Sequence, residues 1–353
     1  MPVTDRDPPG PTIRVLMVTS QWPRAKWGGT PTFIVRQAEF LRAAGVDLDV
    51  FHFKGGRSPV NYLRAWWGLR RRLRTNPYDL IHAQFGQSAM AVLPTRHPLV
   101  VTFRGDDLQG ILADDGQLTL AGRVLRAISR MVARRAQAVI VVSEHMKQDL
   151  DSGASASVIP SGLDLELFRP LPREEARRRA GMSPGERVVL FVGKPTQARK
   201  RLALAQEAVE ILNRTLPARL LVGYGVPHTE IPWLMNAADV LLFTSRQEGS
   251  PNVVKEALAC DLPVVSVAVG DVPTRLAGIE GCEVAADDEP ATLAACLERV
   301  LQRGRRIAGR QAVAELDEHV LTQKVLAIYR GVVAGSRPAD VPDNGDHRRC
   351  AAS

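Results

Sequence analysis

Two glutamates, Glu248 and Glu256, lie eight positions apart in the stretch TSRQEGSPNVVKEALACDLPVVS. The apolar run DVLLF before this stretch predicts a buried strand, and Ser250 with the following proline is typical of the start of a helix. A helix that follows a parallel strand presents free backbone N–H groups, here those of Asn252 and Val253, at the carboxyl edge of the sheet. We therefore predict an anion site at this helix start, with a diphosphate as its natural occupant.

The two carboxylates are unsuited to contact a diphosphate, because both groups are negative. Glu248 and Glu256 are better suited to accept hydrogen bonds from sugar hydroxyls on either side of the phosphates. Gly249 would let the backbone come close to the ligand. The spacing alone equally allows an ordinary solvated helix residue at Glu256 and a loop charge at Glu248.

A second group of charges follows another predicted strand, RVVLFVG. The basic residues of this loop are Lys194, Arg199, Lys200 and Arg201. Cationic side chains here would neutralise a leaving diphosphate. A solvated basic loop is the alternative, but this loop and Glu248 arise at the same edge of the same predicted sheet, which favours one shared site.

Short apolar strands alternate with helical segments along most of the chain, beginning with IRVLMVTS. This alternation predicts parallel sheets covered on both faces, in two series of strands separated by LPREEARRRAGMSPGE. We predict two doubly wound, Rossmann-like α/β domains, residues 12–170 and 171–318, that enclose one cleft. A helix at 319–335 is expected to return to the N-terminal domain, and the polar stretches 1–11 and 336–353 are expected to be disordered tails.

Composition limits the classes of function. The chain has 353 residues, of which 45% are hydrophobic, and no apolar stretch approaches the roughly 20 residues of a membrane-spanning helix. Its start lacks the apolar run of a signal peptide, and four scattered cysteines encode neither a zinc site nor a disulfide framework, so we expect a cytoplasmic protein. The net charge of +8 predicts an anionic partner. No nucleic-acid-binding motif accompanies that charge, so nucleic acid is not expected.

Taken together, these motifs resemble the retaining glycosyltransferases of family 4, over about residues 13–331. EGSPNVVKEALACDLPVVS is similar to the E-x7-E segment of that family, and FVGKPTQARKR resembles its V-G-R and K-G motifs. The stretch WGGTPTFIVRQAEFL, which contains Gly28 and Gly29, resembles the glycine-containing loop near the acceptor. The resemblance implies the GT-B architecture, with an N-terminal acceptor domain and a C-terminal domain that binds a nucleotide-sugar donor.

The resemblance also implies roles for individual residues. Glu248 would contact the donor sugar and Glu256 the ribose, while Lys194 and Lys200 would hold the diphosphate. Lys194 stands where the family has arginine, a change that keeps the positive charge but alters its geometry.

The stretch VVTFRGDD departs from the family pattern, in which many members have a histidine where this chain has Arg104. A guanidinium stays protonated at neutral pH and cannot act as a base, so we expect Arg104 to stabilise phosphate or to bind an acidic acceptor. Asp106 and Asp107 are either helpers in the reaction or loop residues. His82, at the carboxyl end of a predicted strand, either approaches the acceptor or is a structural histidine.

An arginine-rich helix is predicted at 61–74, where Trp66 and Trp67 stand among five arginines. Arginines with tryptophans suit an anionic membrane surface, such as the inner face of the plasma membrane. The alternative is that the tryptophans pack in the core and the arginines are solvated. If the helix docks on lipid, a lipid-linked saccharide is the expected acceptor.

The sequence thus predicts a retaining glycosyltransferase that moves a sugar from a nucleotide diphosphate sugar to a glycan or lipid-linked acceptor in surface polysaccharide assembly. No cofactor is expected. We also predict metal independence, because the D-x-D-like pair Asp47 and Asp49 falls inside an alternating strand. A nucleotide-sugar epimerase of the same architecture and an inactive protein that binds nucleotide-sugars or lipid are the alternatives.

Overall fold

The computed structural model describes five stretches of the chain: residues 12–22, 32–56, 58–113, 116–151 and 155–335. The tails predicted at 1–11 and 336–353, and the predicted acceptor-side loop with Gly28 and Gly29, lie outside these described residues.

The N-terminal domain is built on a six-stranded parallel sheet with the spatial order β2-β1-β3-β4-β5-β6. The strands are β1 (Arg14–Thr19), β2 (Asp47–His52), β3 (Leu80–Gln84), β4 (Leu99–Phe103), β5 (Ala138–Val141) and β6 (Ala156–Val158). Its helices are α1 (Thr32–Ala43), α2 (Pro59–Thr75), α3 (Gly86–Met90), α4 (Asp106–Gln109) and α5 (Leu120–Arg135). Strands β3, β4 and β5 are buried at every position, as expected for strands covered on both faces.

The C-terminal domain repeats this construction with a five-stranded parallel sheet in the order β11-β10-β9-β7-β8. The strands are β7 (Val188–Val192), β8 (Arg219–Gly223), β9 (Val240–Phe243), β10 (Val264–Ser266) and β11 (Glu283–Val284). Its helices are α6 (Arg173–Arg179), α7 (Leu202–Leu212), α8 (Ile231–Ala237), α9 (Asn252–Ala259), α10 (Val272–Leu276) and α11 (Pro290–Arg303). The predicted pair of doubly wound α/β domains is therefore confirmed.

The strand order reverses direction at one point in each sheet, between β1 and β3 and between β7 and β9. The carboxyl ends of strands at such a point leave a crevice in which α/β proteins bind ligands. In the C-terminal sheet, the basic loop follows β7 and Glu248 follows β9, so both predicted charge groups flank this crevice.

The last described helix, α12 (Glu318–Val333), follows the C-terminal domain in sequence but packs against α1 and β3. Tyr329 on α12 shares a 2.6 Å hydrogen bond with His82 Nδ1 on β3, and both side chains are fully buried. Within the described part of the chain, no helix is long and apolar enough to cross a membrane.

We expect Tyr329→Phe to lower the free energy of unfolding by about 1–3 kcal/mol, because it leaves a ring nitrogen of buried His82 without its hydrogen bond. Differential scanning calorimetry measures the effect. The matched control is Tyr224→Phe at a tyrosine that is 47% exposed. Equal melting temperatures for the two variants would show that the bond to α12 contributes nothing.

Candidate active site

A cavity of about 360 Å³ lies between the two domains at the carboxyl ends of their strands. The N-terminal domain supplies the loop after β4 and residues that follow β1, β3 and β5. The C-terminal domain supplies Arg199 and the loop that joins β9 to α9. The residues that line the cavity include Gln21, Phe33, Phe85, Gln87, Arg104, Asp106, Arg199, Glu248, Gly249 and Asn252.

Two residues on the C-terminal wall of the cavity, Glu248 and Arg199, belong to a compact ion cluster. Glu248 Oε1 accepts hydrogen bonds from Lys200 Nζ at 2.6 Å, Arg199 Nη1 at 2.7 Å and Ser245 Oγ at 2.7 Å. The Glu248 side chain is only 14% exposed. Burial alone would raise its pKa, but the charges of Lys200 and Arg199 hold that pKa below its ordinary value. Glu248 is therefore an anion in this cluster at neutral pH.

Lys194, which the sequence pairs with Lys200 on the diphosphate, does not join this cluster. Its side chain is exposed, and Arg199 is the residue that accompanies Lys200 on Glu248. The reason is a short 3-10 turn, Ala198–Lys200. Thr244, which follows β9, holds this turn in place because its Oγ1 donates a hydrogen bond to the Lys200 carbonyl at 2.8 Å. Arg201 turns away to pair with Asp288.

Helix α9 begins at Asn252, with Pro251 in the N-cap position and no side chain capping its first N–H groups. The prediction that Ser250 caps this helix is wrong, because the Ser250 hydroxyl donates to Asp271 Oδ2 at 2.8 Å. Asn252 lines the cavity, and its buried Oδ1 has no partner among the described residues. Val253 is partly buried beside it. The start of α9 is thus uncapped and faces the cavity.

The two domains touch at Gly249. A Cβ atom placed there would lie 2.6 Å from the Arg104 carbonyl oxygen, closer than real Cβ contacts allow. From the other side, Gly105 has a φ of +149°, and a Cβ there would lie 3.3 Å from the Gly249 nitrogen. Gly249 lines the cavity, so its role in ligand approach stays a prediction, and its missing side chain also lets one domain's backbone meet the other's.

Glu256 lies further along α9 and is not among the residues that line this cavity. Its Oε1 is 3.3 Å from His228 Nε2, and its side chain is 13% exposed. The His228 ring in turn packs edge-on against Phe168, with 5.2 Å between the ring centres. Sequence reasoning missed His228, although its position after β8, at the same carboxyl edge, was a usable signal.

Arg104 projects from the end of β4 and lines the cavity. Its guanidinium donates to Gln84 Oε1, Gln37 Oε1 and Ser161 Oγ over 2.6–3.2 Å, and it stacks 4.7 Å from the Phe33 ring centre. Burial lowers its pKa to about 10, so it remains a cation at neutral pH. All these partners are neutral, and no carboxylate of the described residues lies within 4.0 Å of it. Arg104 is a rigidly held positive charge on the N-terminal wall.

The two aspartates after Arg104 have different environments. Buried Asp107 accepts hydrogen bonds from the backbone N–H groups of Gly86, Arg104 and Gly105, so it shapes the loop. Both aspartates line the cavity, but both carboxylate oxygens of Asp107 are taken by these backbone groups, whereas Asp106 accepts none of them. Burial raises the pKa of Asp106, the charge of Arg199 opposes this effect, and the negative charge of Glu248 adds to it. Of the two, Asp106 is the one placed for chemistry.

His82 does not reach the cavity, so its predicted place on the acceptor side is wrong. Its ring is fully buried and bonded at Nδ1 to Tyr329 and at Nε2 to Thr102, at 2.6 and 2.7 Å. Burial lowers its pKa to about 3, so the ring is neutral. His82 is therefore a structural histidine, which is the second of the two alternatives that the sequence allowed.

Lys255 is a buried cation that sequence reasoning did not single out. It is 1% exposed, and its Nζ donates to the Ser161 carbonyl at 3.0 Å, on the segment that crosses between the domains. Burial lowers its pKa to about 8. The sequence could have indicated this burial, because Lys255 lies within the apolar face of α9, where Val254 and Leu258 are also buried.

Comparison with known families agrees with this arrangement. Residues 27–167 match Glycosyltransferase Family 4, and residues 189–303 match Glycosyl transferases group 1. The chain belongs to the family 4 glycosyltransferases. The two matches fall on the two domains, and each includes residues that line the cavity.

Two relatives show how far the similarity extends. TuaC of Bacillus subtilis, named for teichuronic acid biosynthesis, is 30% identical over 219 residues, which cover 55% of this chain and 54% of TuaC. The alignment thus spans about half the length of that relative. D-inositol 3-phosphate glycosyltransferase 1 of Catenulispora acidiphila is 28% identical over 314 residues, 74% of each chain.

Solved structures share the fold of this glycosyltransferase. Sucrose-phosphate synthase of Thermosynechococcus elongatus superposes with a TM-score of 0.76 at 18% identity, covering 92% of this chain and all of that one. Anabaena HepE in complex with UDP-glucose gives a TM-score of 0.67 at 18% identity, covering 90% of this chain and all of that one. The predicted GT-B architecture is confirmed.

We expect Gly249→Ala to destabilise the packing of the two domains against each other by about 1–3 kcal/mol. The new methyl group would meet the backbone at Arg104 rather than a side chain that can move. Small-angle X-ray scattering should show a larger radius of gyration than the wild type. Gly331→Ala is the control, since a Cβ there meets no described atom within 4 Å apart from its chain neighbours and the backbone of its own helix. An unchanged scattering curve for Gly249→Ala would contradict the backbone contact.

Proposed function

We propose that this glycosyltransferase moves a sugar from a nucleotide diphosphate sugar to a glycan or lipid-linked acceptor with retention of anomeric configuration, in surface polysaccharide assembly. The observation that carries the proposal is the cluster of Arg199, Lys200 and Glu248 beside the uncapped start of α9, of which Arg199 and Glu248 line the interdomain cavity. It combines cations for a diphosphate with a carboxylate for sugar hydroxyls.

The diphosphate takes the position between the cations and the start of α9. Free N–H groups and the helix dipole at a helix start favour negative charge, and Lys200 and Arg199 add charge-assisted hydrogen bonds. Glu248 then accepts hydrogen bonds from the donor sugar. Glu256, further along α9, accepts a hydrogen bond from the ribose once the nucleotide has replaced His228 as its partner.

Bond cleavage develops negative charge on the leaving phosphate, and fixed cations stabilise that charge most effectively in a site that excludes water. The leaving phosphate oxygen takes the proton of the acceptor hydroxyl, so attack occurs on the face that the phosphate leaves and configuration is retained. This route requires neither a metal nor a cofactor. The protein positions the two substrates and stabilises charge.

The N-terminal wall of the cavity serves the acceptor. Arg104 presents a fixed positive charge there, and the Phe33 ring lies beside it. The neutral partners of Arg104 leave its charge available to an acidic acceptor. The names of the two relatives contain an acidic compound, teichuronic acid, and a phosphorylated one, D-inositol 3-phosphate, which supports an anionic acceptor here.

Helix α2 provides a surface for an anionic membrane. Three of its apolar side chains are more than half exposed: Val60 at 51%, Leu63 at 58% and Trp67 at 63%. They recur at helical spacing beside exposed Arg64 and Arg71, whereas Trp66 packs against Arg70. Apolar side chains flanked by arginines suit the interface of an anionic bilayer. We therefore place the enzyme in the cytoplasm, peripherally on the inner face of the plasma membrane.

The reaction itself is tested by incubating the protein with UDP-, GDP- and ADP-sugars and lipid-linked saccharides, with NMR analysis of the new linkage. We expect transfer with the anomeric configuration of the donor. Inversion would contradict retention. Epimerised donor formed without acceptor would favour the epimerase alternative, and donor binding without turnover would favour the inactive binding protein.

We expect Lys200→Ala to weaken binding of the nucleoside diphosphate about 10-fold or more, because it removes a charge-assisted hydrogen bond from a largely buried site. Isothermal titration calorimetry measures the dissociation constant. Lys194→Ala, on the same loop but exposed, should change it little. If Lys194→Ala had the larger effect, the diphosphate would bind elsewhere on the loop.

For the membrane surface, we expect the double variant Leu63→Ser, Trp67→Ser to lose most of its sedimentation with vesicles that contain phosphatidylglycerol, because it removes two exposed apolar side chains. The matched control is Val320→Ser, Val333→Ser on α12, where both valines are 45% exposed. Undiminished sedimentation of the α2 variant would show that its tryptophans and arginines are merely solvated.

A further inference from the structure

Glu248 occupies the cations that the proposed diphosphate site needs. The contacts from Lys200, Arg199 and Ser245 all converge on one carboxylate oxygen, Oε1. Arg199 Nη1 also donates to the Gln247 carbonyl at 3.0 Å, which fixes its direction. The carboxylate of Glu248 therefore takes the place beside Lys200 and Arg199 that a phosphate would take.

Carboxyl groups already oppose the cations at this position. Arg199 and Lys200 carry two positive charges, and Glu248 carries one negative charge. Asp106, which lies across the cavity, interacts electrostatically with all three. A diphosphate that enters brings further negative charge beside two carboxyl groups, so it must take Lys200 and Arg199 away from Glu248. The freed carboxylate then needs new partners, because a largely buried carboxylate without hydrogen bonds is costly.

We propose that Glu248 is the residue by which the site distinguishes the intact donor from its nucleoside diphosphate product. The inference rests on the proposed function. A nucleotide sugar displaces Glu248 from the cations but gives the carboxylate sugar hydroxyls as donors. A nucleoside diphosphate displaces it in the same way and offers no such donors.

The consequence is different affinity for substrate and product. With the donor bound, the ion pairs that Glu248 loses are replaced by hydrogen bonds from hydroxyls to a charged acceptor, which are among the stronger kinds. After transfer the sugar is gone, Glu248 again competes for Lys200 and Arg199, and the nucleoside diphosphate is expelled. Product release and donor selection therefore depend on the same carboxylate.

The variant Glu248→Gln tests this directly, because it keeps the size of the side chain and removes its charge. We expect it to bind the nucleoside diphosphate about 10-fold more tightly than the wild type, a change of about 1.4 kcal/mol, since the cations no longer have a competing anion. Binding of the nucleotide sugar should not tighten. The ratio of the two dissociation constants should therefore approach one.

The experiment uses calorimetric titration of the full chain with UDP and UDP-glucose, GDP and GDP-mannose, and ADP and ADP-glucose, and it compares the pair that the wild type binds most tightly. Asp288→Asn is the matched control: it removes one negative charge from the neighbouring Arg201 pair, where Asp288 is 54% exposed. It should leave both dissociation constants unchanged. Circular dichroism confirms that each variant is folded.

An unchanged or weaker affinity of Glu248→Gln for the nucleoside diphosphate, with Lys200→Ala still impaired, would overturn the inference and leave the proposed diphosphate site standing. Equal tightening in Asp288→Asn would also overturn it, since the effect would then come from net charge alone. If the wild type bound none of the six nucleotides, the proposed function would fail first and this inference with it.

Discussion

The contact between the backbone of Gly249 and that of Arg104 is the constraint on which the site depends. The loop at Gly249 leaves no room for a side chain and the loop at Gly105 leaves little, so the carboxyl edges of the two sheets meet at backbone distance. This brings Glu248 to within electrostatic range of Asp106, which belongs to the other domain. A donor on one wall and an acceptor on the other are then held close enough to react.

Two kinds of positive charge follow from this arrangement. Lys200 and Arg199 are both paired with Glu248, so an incoming anion must compete with this carboxylate for them. Arg104 is held by amide and hydroxyl oxygens, and the carboxyl groups of Asp107 and Glu318 interact with it electrostatically without pairing with it. The first kind suits a diphosphate that must leave after reaction. The second suits an acceptor that carries its own negative group.

Features set by local sequence could be predicted, and features set by distant partners could not. Apolar runs with helical segments between them predict the two parallel sheets and the place of Glu248, because the carboxyl edge follows from strand direction alone. The choice of Arg199 over Lys194 depends on a turn fastened to another strand by Thr244. His82 is buried because Tyr329, 247 positions away, packs on it. No local pattern encodes such contacts.

The most direct test of the account is a crystal structure of the protein with the nucleotide sugar that it uses. We predict phosphate oxygens within hydrogen-bond distance of Lys200 Nζ and of the backbone N–H groups at the start of α9. We also predict that Glu248 has left Lys200 and accepts from sugar hydroxyls. A diphosphate bound outside the cavity, or one bound while Glu248 keeps both cations, would contradict the account.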